Sequence, residues 1–542
     1  MARPKSSATG ASKRVKKGLE RVPTADSKDV VLNPKKTRAA RKARNNTTAT
    51  SPHTTSGRVD KRKRSRSEEP TADDTTSSNK RPRTSRAHKD QAKSRSAKPQ
   101  GLEHPVINKV PEDIWTILVF GGGENGELGL GPKQTEALQP RLNTFLDPIT
   151  SSAYQLVDFA CGGMHTVALS ADNQIITWGV NDNKALGRNT DWDGGLRDVD
   201  AESADEDDES LNPLESTPTD IPAKNFPPGT RFAQVAAGDS CSFALTDTGL
   251  VYGWGTFRNS QGKNCFGYDT GGKVITAQET PIQIRGIPTI TQIVCGANHA
   301  LALDIKGNIW AWGYNEQNQF GRHLFGRQQD SFVPSQVRVC RGNVKYIASG
   351  EYHSFAIDRQ DNVWAWGANS YGEAGDPKTA GSDSAVLQAP IKIRHLCQKE
   401  VTTLAGGAHH SAAVTAGGQC FVWGRIDAGQ LGVAFTPEQI QDETHTRCDD
   451  RGKPRICLRP TAVPNIKIAV HVACGTDHTI FVDKFGLAYS SGFGFQGQLG
   501  LASNDDVEMA TLIEGKTVEN FVFKRAGAGG NVSILARFSH RR

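Results

Sequence analysis

Apolar residues alternate with polar ones in short runs along most of this chain, and a glycine precedes each run. The stretch from Gly162 to Gly187 is typical, because the β-prone runs Thr166–Leu169 and Gln174–Trp178 flank the tight-turn sequence Ala171–Asn173. A second glycine follows the first at one constant offset, in the position pairs 162/179, 238/255, 296/313, 350/367, 407/424 and 475/492. Six occurrences of one offset predict a repeat protein made of strands.

The length of the unit predicts the fold class. Units start at 162, 238, 296, 350, 407, 475 and 529, and the shortest interval between starts, 475 to 529, sets the base period. Such a period holds about four short strands with their turns, and no helical pattern alternates with them. We therefore predict an all-β protein, a β-propeller in which each unit is one antiparallel blade.

The two ends of the repeat region complement each other. The unit that starts at Gly529 is cut short at Arg542, so its second half is missing. Leu118–Gly121 and Leu128–Gly129 supply such a half at the other end, with the same +8 spacing between glycines that other units show. We predict a seven-bladed β-propeller closed by the N-terminal strand, which completes the C-terminal blade and removes exposed strand edges.

Charge divides the chain into two parts. Residues 1–100 contain 28 Lys and Arg against 9 Asp and Glu and have no Phe, Trp or Tyr, whereas the rest of the chain is net negative. A segment of that composition cannot bury enough apolar surface to fold. We predict a disordered basic tail over 1–108 and a propeller over 109–542, with insertions at about 188–228 and 433–460.

The basic tail is either a solvated arm or a phosphate-binding arm with nuclear import signals. Its clusters favour the second interpretation: Lys13, Arg14, Lys16 and Lys17, then Lys61, Arg62, Lys63 and Arg64, followed by Lys80–Arg83 at a bipartite spacing. Without aromatic side chains to stack on bases, the tail is expected to contact DNA phosphates and not to read sequence. We predict a nuclear, chromatin-associated protein.

Other features narrow the class of protein. The sequence has no apolar signal peptide and no apolar run long enough to span a membrane. Its 10 cysteines form no CxxC pair, which favours buried thiols over disulfides or metal ligands. Eight acidic residues between Asp198 and Glu209 predict a solvated loop. We predict no metal and no cofactor.

Residues that recur at one position of the unit are interpreted as packing. Tryptophans recur at 178, 254, 312, 366 and 423, and histidines at 165, 299, 353, 410 and 478. Because each occurs once per blade, they cannot converge on one site, so we assign them to the core and to structural hydrogen bonds. The turns between the opening glycine and the histidine vary, and supply a polar ring of Asp239, Asn298, Glu351, His409 and Asp477. The alternative is ordinary solvated turn residues.

One unit departs from the repeat in length. An apolar-Gly pair normally follows the second glycine at +8, but Gly255 is followed by Gly267 at +12. The four extra residues lie within Phe257–Asn264 and predict a projecting hairpin on a rigid scaffold, where function concentrates. The alternative is a tolerated insertion.

Four segments carry a resemblance to a known family. CGGMHTVALS (161–170), GDSCSFALTDTG (238–249), GWGTFRNSQG (253–262) and GGAHHSAAV (406–414) resemble the regulator of chromosome condensation family, the nuclear exchange factors for the Ran GTPase. The resemblance covers about 109–542 and suits a fungal-type member. It implies a propeller that docks on Ran with one face and on nucleosomes with the other, while the tail engages nuclear import receptors.

The resemblance also implies site residues. The residues implied in binding the GTPase are Asp239, Asn298 and His409, and a wedge formed by Phe257, Arg258, Asn259, Ser260, Gln261, Gly262, Lys263 and Asn264. The family has Asp where this chain has Asn298, and a histidine where it has Val532. A chromatin-binding loop falls near Arg322–Ser331, with Arg322 and Arg327 as candidates.

The implied function is exchange of guanine nucleotide on Ran, on chromatin, to generate Ran-GTP for nucleocytoplasmic transport and mitotic assembly. Such a factor binds the nucleotide-free GTPase better than the loaded one and needs no covalent chemistry. The chain has no GxxxxGK[ST] motif, so it is not itself predicted to be the GTPase. A chromatin or signalling scaffold without exchange activity is the alternative, whereas an ultraviolet photoreceptor would need tryptophans clustered on a face and a hydrolase would need convergent catalytic groups.

Overall fold

Each repeat folds as a short antiparallel sheet, and Asn173 shows how the sequence sets its turns. The computed structural model describes residues 105–193, 210–322, 330–382 and 385–539. In it, the runs on either side of Asn173 form strands His165–Ser170 and Ile175–Gly179. Asn173 has a φ of 65°, a left-handed conformation that asparagine tolerates better than most residues. Strands dominate the described residues, so the all-β prediction is confirmed.

The strands group into antiparallel sheets that we number as blades 1–7, in the chain order of their innermost strands. The first strands in the chain are β1 (Trp115–Gly122) and β2 (Glu136–Leu142) in blade 7; β3 (Leu156–Cys161), β4 (His165–Ser170), β5 (Ile175–Gly179) and β6 (Thr219–Asp220) in blade 1; and β7 (Phe232–Ala237), β8 (Cys241–Thr246), β9 (Val251–Gly255) and the outer strand β14 (Gln278–Gln283) in blade 2. Between β9 and β14 lie the hairpin strands β10 (Phe257–Arg258), β11 (Asn264–Cys265), β12 (Gly267–Tyr268) and β13 (Val274–Ile275).

The remaining strands are β15 (Ile290–Cys295), β16 (His299–Asp304), β17 (Ile309–Tyr314) and β18 (Asp330–Val337) in blade 3; β19 (Val344–Ser349), β20 (His353–Asp358), β21 (Val363–Ala368) and β22 (Val386–Lys392) in blade 4; β23 (Val401–Gly406), β24 (His410–Thr415), β25 (Cys420–Arg425), β26 (Thr446–Cys448) and β27 (Pro454–Ala462) in blade 5; β28 (Ala469–Cys474), β29 (His478–Asp483), β30 (Ala488–Gly492) and β31 (Val507–Leu512) in blade 6; and β32 (Phe523–Ala528) and β33 (Val532–Phe538) in blade 7.

Helical structure is limited in the described part of the chain. It comprises α1 (Pro213–Ser216), α2 (Pro437–Gln441) and short 3-10 turns at Thr144–Leu146, Ala223–Asn225 and Cys340–Gly342. Both α-helices lie in the two predicted insertions, where Asn212 and Thr436 cap their N-termini. No helix within the described ranges is long and apolar enough to cross a membrane.

The two ends of the chain meet in blade 7. Strand β1 pairs antiparallel with β33, from Trp115 opposite Phe538 to Gly121 opposite Val532. The rings of Trp115 and Phe538 stack at a centroid distance of 4.4 Å. This is the pairing that the two complementary half-units require.

Backbone hydrogen bonds join the turns that surround the axis. Each turn after an innermost strand donates to the next, through the pairs Gly163 N–Gly238 O, Asp239 N–Ala297 O, Ala297 N–Glu351 O, Glu351 N–Gly407 O, Ala408 N–Thr476 O, Thr476 N–Gly529 O and Gly530 N–Gly163 O. Glycine is needed here because the turns approach closely: a Cβ on Gly162 would lie 2.3 Å from the carbonyl oxygen of Gly238. The circuit ends where it began, so the turns form one continuous ring.

The recurrent tryptophans are core residues, as predicted. All five are buried, and four of them donate from Nε1 to a carbonyl oxygen in the preceding blade, at the sixth residue after that blade's second glycine. These pairs are Trp178 with Glu127, Trp254 with Ala185, Trp366 with Gln319 and Trp423 with Glu373. The +8 spacing therefore fixes the position of the carbonyl oxygen that accepts a hydrogen bond from the tryptophan of the next blade.

The recurrent histidines are also structural. Each bonds through Nε2 to a hydroxyl of the following blade: His165 to Ser242, His299 to Ser354, His353 to Ser411, His410 to Thr479 and His478 to Ser533, at 2.8–3.0 Å. Burial lowers the pKa of His299 to about 3, which keeps the ring neutral. We call this His–hydroxyl contact, with the carbonyl that accepts from the hydroxyl, the seam relay.

The seam between blades 2 and 3 lacks this relay. Cys241 occupies the histidine position and Ala300 occupies the hydroxyl position. Trp312 Nε1 is buried without a hydrogen-bond partner in the described residues. Phe257 fills the place of the missing groups and stacks against Phe243 at a centroid distance of 6.2 Å. Apolar packing therefore replaces polar bonding at this seam.

Candidate functional site

Turns and loops at one end of the ring surround a depression on the axis. Antiparallel order places the turns after the innermost strands and the loops after the third strands at this same end. The depression has a volume of about 760 Å³. Among the predicted site residues, those that line it are Asp239, Arg258, Asn259, Ser260, Asn298 and His409. Glu351 of the predicted polar ring lines it as well.

The +12 insertion forms a hairpin, as its length predicts. Strands β10 and β11 pair Phe257 with Cys265 and Arg258 with Asn264. Asn259 closes the turn, because its Oδ1 accepts hydrogen bonds from the amides of Gln261 and Lys263. We refer to Phe257–Asn264 as the wedge.

Residues of both neighbouring blades hold the wedge in place. The amide of Arg258 donates to Asn298 Oδ1 at 2.6 Å, and the amide and hydroxyl of Ser260 donate to the Glu316 carboxylate at 2.9 and 3.0 Å. On the other side, Asn264 Nδ2 donates to Asn183 Oδ1 at 2.9 Å. Asn298 therefore acts as an acceptor, a task that an aspartate oxygen at this position could also perform.

Phe257 is not available for direct contact with a partner, which corrects its assignment as a GTPase-binding residue. Its side chain is fully buried among Phe243, Phe266 and Phe332. The physical reason is the seam, where an apolar ring occupies the volume that the relay fills elsewhere. Phe257 anchors the wedge from below.

A second hairpin follows directly and was not predicted from the sequence. Strands β12 and β13 pair Tyr268 with Val274, and both side chains are exposed. Asp269 closes this turn through hydrogen bonds from the amides of Gly271 and Lys273. The only sequence signal was the Asp-Thr-Gly-Gly stretch at 269–272.

Two carboxyl groups lie in the depression and interact electrostatically. Burial raises the pKa of Asp239 to about 6. Burial, reinforced by the charge of Asp239, raises the pKa of Glu351 to about 7. Burial also raises the pKa of Tyr352 beside them to about 12. The floor of the site therefore gains negative charge around neutral pH and suits a partner that brings a cation or a hydrogen-bond donor.

We expect the pH dependence of stability to reveal these acids. Because both pKa values are raised on folding, the native state holds more protons than the unfolded state between about pH 4 and pH 7. Stability is therefore fully present below this interval and falls as pH rises through it. Melting temperatures measured across the interval should fall more steeply in the wild type than in Glu351→Gln. Glu279→Gln, which changes an exposed carboxylate, is the control; equal slopes in all three proteins would contradict the assignment.

A charged rim borders His409, and sequence analysis missed most of it. The Tyr371 ring lies 4.8 Å from the His409 ring, and the guanidinium groups of Arg425 and Arg455 lie over Tyr371 at 5.4 and 5.7 Å. Arg425 also contacts the carboxylate of Asp477 at 3.3 Å. Arg425 immediately follows the Trp-Gly pair of blade 5, where no other unit has a charged residue, and this was the available signal.

The chromatin-binding assignments are only partly within the described residues. Arg322 is exposed, and its Nη2 donates to Ser335 Oγ at 2.8 Å on the outer strand of blade 3. The loop that it begins leaves blade 3 at the wedge end, where Tyr314 pairs with Asp330. The assignment of Arg322 to a chromatin-binding loop stays a prediction. Arg327, the tail clusters and the acidic insertion lie outside the described residues.

The segment before β1 marks the opposite end of the ring. The amides of Ile107 and Asn108 donate to the carbonyl oxygen of Asp247, in the turn between the second and third strands of blade 2. The buried Asn108 side chain bridges the carbonyl oxygens of Thr246 and Ile290 at 2.8 and 2.9 Å. The segment at residues 107–108 therefore lies at the end of the ring away from the wedge.

No group of three or more His, Cys, Asp or Glu side chains is arranged to hold a metal ion in the part of the chain that the structure describes. The titratable residues of the depression include Asp239, Glu351, Glu373 and His409. With the wedge at one side and the charged rim at another, this geometry is suited to docking a protein surface.

Comparison with known proteins agrees with this architecture. The family model for the RCC1-like domain matches residues 116–535. The guanine nucleotide exchange factor SRM1 of Saccharomyces cerevisiae is 36% identical over 445 residues, which cover 80% of this chain and 89% of SRM1. The crystal structure of Prp20p from Saccharomyces cerevisiae, described with its binding to Gsp1p and histones, has a TM-score of 0.71 at 33% identity and covers 80% of this chain and 94% of Prp20p. The structure of Kap60 bound to yeast RCC1 (Prp20) matches with a TM-score of 0.71 at 32% identity, over 83% of this chain and 97% of that one.

These matches extend over the whole strand region. The family model covers the segment from the second residue of β1 to a residue within β33. The curated relative is similar over nearly its full length, so the match is not confined to isolated repeats. The propeller with its single wedge is therefore a member of the RCC1-like domain family.

Proposed function

We propose that this protein is a guanine-nucleotide exchange factor for the Ran GTPase and acts on chromatin. The observation that carries the proposal is the wedge, one hairpin tied by hydrogen bonds to the blades on both sides and placed beside a depression lined by Asp239, Asn298 and His409. SRM1, which is similar over most of this chain, is named an exchange factor. A scaffold that only bound chromatin would not need such a braced projection.

The mechanism follows from differential affinity. The rim and the acids of the depression hold the GTPase. The wedge occupies space beside the phosphate-binding loop of the GTPase, and the bound nucleotide needs that space. A nucleotide held at picomolar affinity is bound by about 16 kcal/mol. If the exchange factor binds the empty GTPase more tightly than the loaded one, thermodynamic linkage lowers the affinity of the GTPase for its nucleotide by the same ratio. No bond in the nucleotide is made or broken, so the protein acts without covalent chemistry.

Bracing makes the wedge effective. Ser260 is held twice by Glu316, and Arg258 is held by Asn298, so the turn is already ordered before the partner arrives. An ordered element does not lose conformational entropy when it docks. The chain thus presents the wedge in the conformation in which it is used.

The test is release of a fluorescent nucleotide from Ran, with the full-length protein added in substoichiometric amount. We expect each molecule to discharge many GTPase molecules, because the complex is resolved when new nucleotide binds. Stoichiometric or undetectable release would overturn the proposal and favour a scaffold.

The basic tail supplies the chromatin and import functions in this proposal. Prp20p is described with histone binding, and Prp20 is seen bound to Kap60. By analogy, the clusters at 13–17 and 61–64 are placed to engage DNA phosphates and import receptors in the nucleus.

We expect removal of residues 1–100 to flatten the salt dependence of nucleosome binding. Each phosphate neutralised by a Lys or Arg adds about −0.9 to the slope of log affinity against log salt concentration. Binding of the full-length and truncated proteins should be measured over a salt series, and nucleotide release in solution should be retained by the truncated protein as the control for folding. An unchanged slope would assign the DNA contacts to the propeller.

A further inference from the structure

Glu373 is a fully buried carboxylate at the edge of the depression. It lies in the loop between β21 and β22, six residues after Gly367. Its Oε2 accepts a hydrogen bond from the amide of Tyr371 at 2.7 Å. Its Oε1 has no hydrogen-bond partner in the described residues and lies 3.7 Å from His409 Nδ1, which is also buried and unpartnered.

The same position in other blades shows what the fold requires there. Gln319, Gln430 and Gln498 occupy it, and each side-chain oxygen accepts the amide two residues earlier, as Glu373 does. Glu127 is the acid at this position in blade 7, but its second oxygen accepts a hydrogen bond from Asn125 Nδ2. An amide thus meets the structural need, so the negative charge of Glu373 is not required by the fold.

A buried oxygen of this kind is costly unless a donor or a positive charge faces it. Both atoms of the Glu373–His409 contact lack hydrogen-bond partners within the described ranges. Their separation of 3.7 Å is too long for a hydrogen bond but within range of a charge pair. A proton on His409 would satisfy both groups. The other ring nitrogen, Nε2, then lies on the part of the His409 ring that is exposed to the depression.

The other groups around His409 leave this pairing dominant. The Tyr371 ring packs against it, and Arg425, whose amide donates to the His409 carbonyl at 2.9 Å, has its guanidinium engaged by Asp427 and Asp477. The remaining titratable neighbours are Glu351, across the depression, and His353 and His410, which burial keeps neutral with pKa values of about 3.

We propose that Glu373 is a positioning residue that holds the His409 ring with a proton on Nδ1 directed inward, so that Nε2 faces the docked GTPase. The group that Nε2 would meet is a polar group of the GTPase that forms a hydrogen bond with a ring nitrogen. This inference rests on the proposed exchange function for its partner, but the pairing within the chain can be measured without one.

The test compares Glu373→Gln with Glu127→Gln in the full-length protein. Glutamine keeps the hydrogen bond from the Tyr371 amide, so we expect both variants to fold. Nitrogen chemical shifts of the His409 ring, followed by NMR, should show a proton on Nδ1 in the wild type and in Glu127→Gln. In Glu373→Gln the glutamine amide that faces the ring can donate to Nδ1, so the proton should leave this nitrogen. Nucleotide release from Ran should fall severalfold in Glu373→Gln only.

A double-variant cycle separates positioning from packing. In a His409→Gln background, Glu373→Gln should cause no further loss of exchange, because its effect acts through the ring. An unchanged proton position on the His409 ring in folded Glu373→Gln, or an additive loss in the cycle, would overturn the inference. If the proton position differs between the wild type and Glu373→Gln but the wild type shows no exchange on Ran, the pairing is supported and the proposed function is overturned.

Discussion

Replacing Arg258–Asn264 by a short turn is expected to abolish most exchange activity while leaving the propeller folded. The replacement removes the element that competes with nucleotide, together with the bracing hydrogen bonds that its amides donate to Asn298 and Glu316. Nucleotide release from Ran should slow by more than about tenfold, a loss of more than about 1.4 kcal/mol of barrier reduction. Docking through His409 and the charged rim should persist in part, so a pull-down with nucleotide-free Ran should still detect the complex.

The neighbouring hairpin supplies a matched control for this experiment. Trimming Asp269–Lys273 shortens an exposed loop of similar size in the same blade but leaves the wedge and its bonds intact. Exchange should be close to that of the wild type. Circular dichroism and thermal melting report on folding in both variants. Full exchange by a folded wedge-shortened protein would show that the insertion is only a tolerated loop.

Phe257→Ala is expected to be the most destabilising of the changes considered. The ring is fully buried and touches three other aromatic side chains at a seam without a polar relay. Truncating a buried phenylalanine costs about 3–5 kcal/mol, through lost burial and the cavity left behind. Chemical denaturation should show a loss of this size, and exchange should fall because the base of the wedge is no longer fixed.

Phe257→Leu separates the anchor role from a direct contact. Leucine keeps most of the apolar volume, so stability and exchange should both be largely retained. Arg258→Ala tests a direct contact and not the anchor role, because the Arg258 side chain is exposed and lines the depression. A Phe257→Leu protein that is stable but inactive would return Phe257 to the contact surface.

Repetition is why so much of the fold could be predicted. A glycine-to-glycine offset that recurs six times fixes the second and third strands of blades 1–6, and the two half-units predict the β1–β33 pairing of blade 7. The seam relay was also encoded, since the residue after the histidine position is Ser or Thr in each blade whose hydroxyl donates to a carbonyl oxygen in the loop of the preceding blade. Ala300 was therefore a readable sign of the altered seam, but only once the partner of that hydroxyl was known.

The site was less predictable because several of the residues that build it break no pattern. The +12 spacing revealed the wedge, but nothing in one sequence indicated that Glu316 and Asn183 brace it or that Phe257 points inward. Glu373 looks like an ordinary variant of the glutamine at its position. Its significance depends on the 3.7 Å approach to His409 from another blade, a distance that spacing along the chain cannot report.

The altered seam has a consequence for transplanting exchange activity to another blade. Grafting the wedge after Gly367 would displace the Glu373 carbonyl, which accepts hydrogen bonds from Trp423 and Ser411, and Ser411 in turn serves His353. The buried side chains of Trp423, Ser411 and His353 would lose hydrogen bonds at once, each at a cost of about 1–3 kcal/mol in stability. The wedge can thus be transferred only together with the equivalents of Cys241 and Ala300. Inserting the wedge residues alone into a related propeller would destroy the blade that received them.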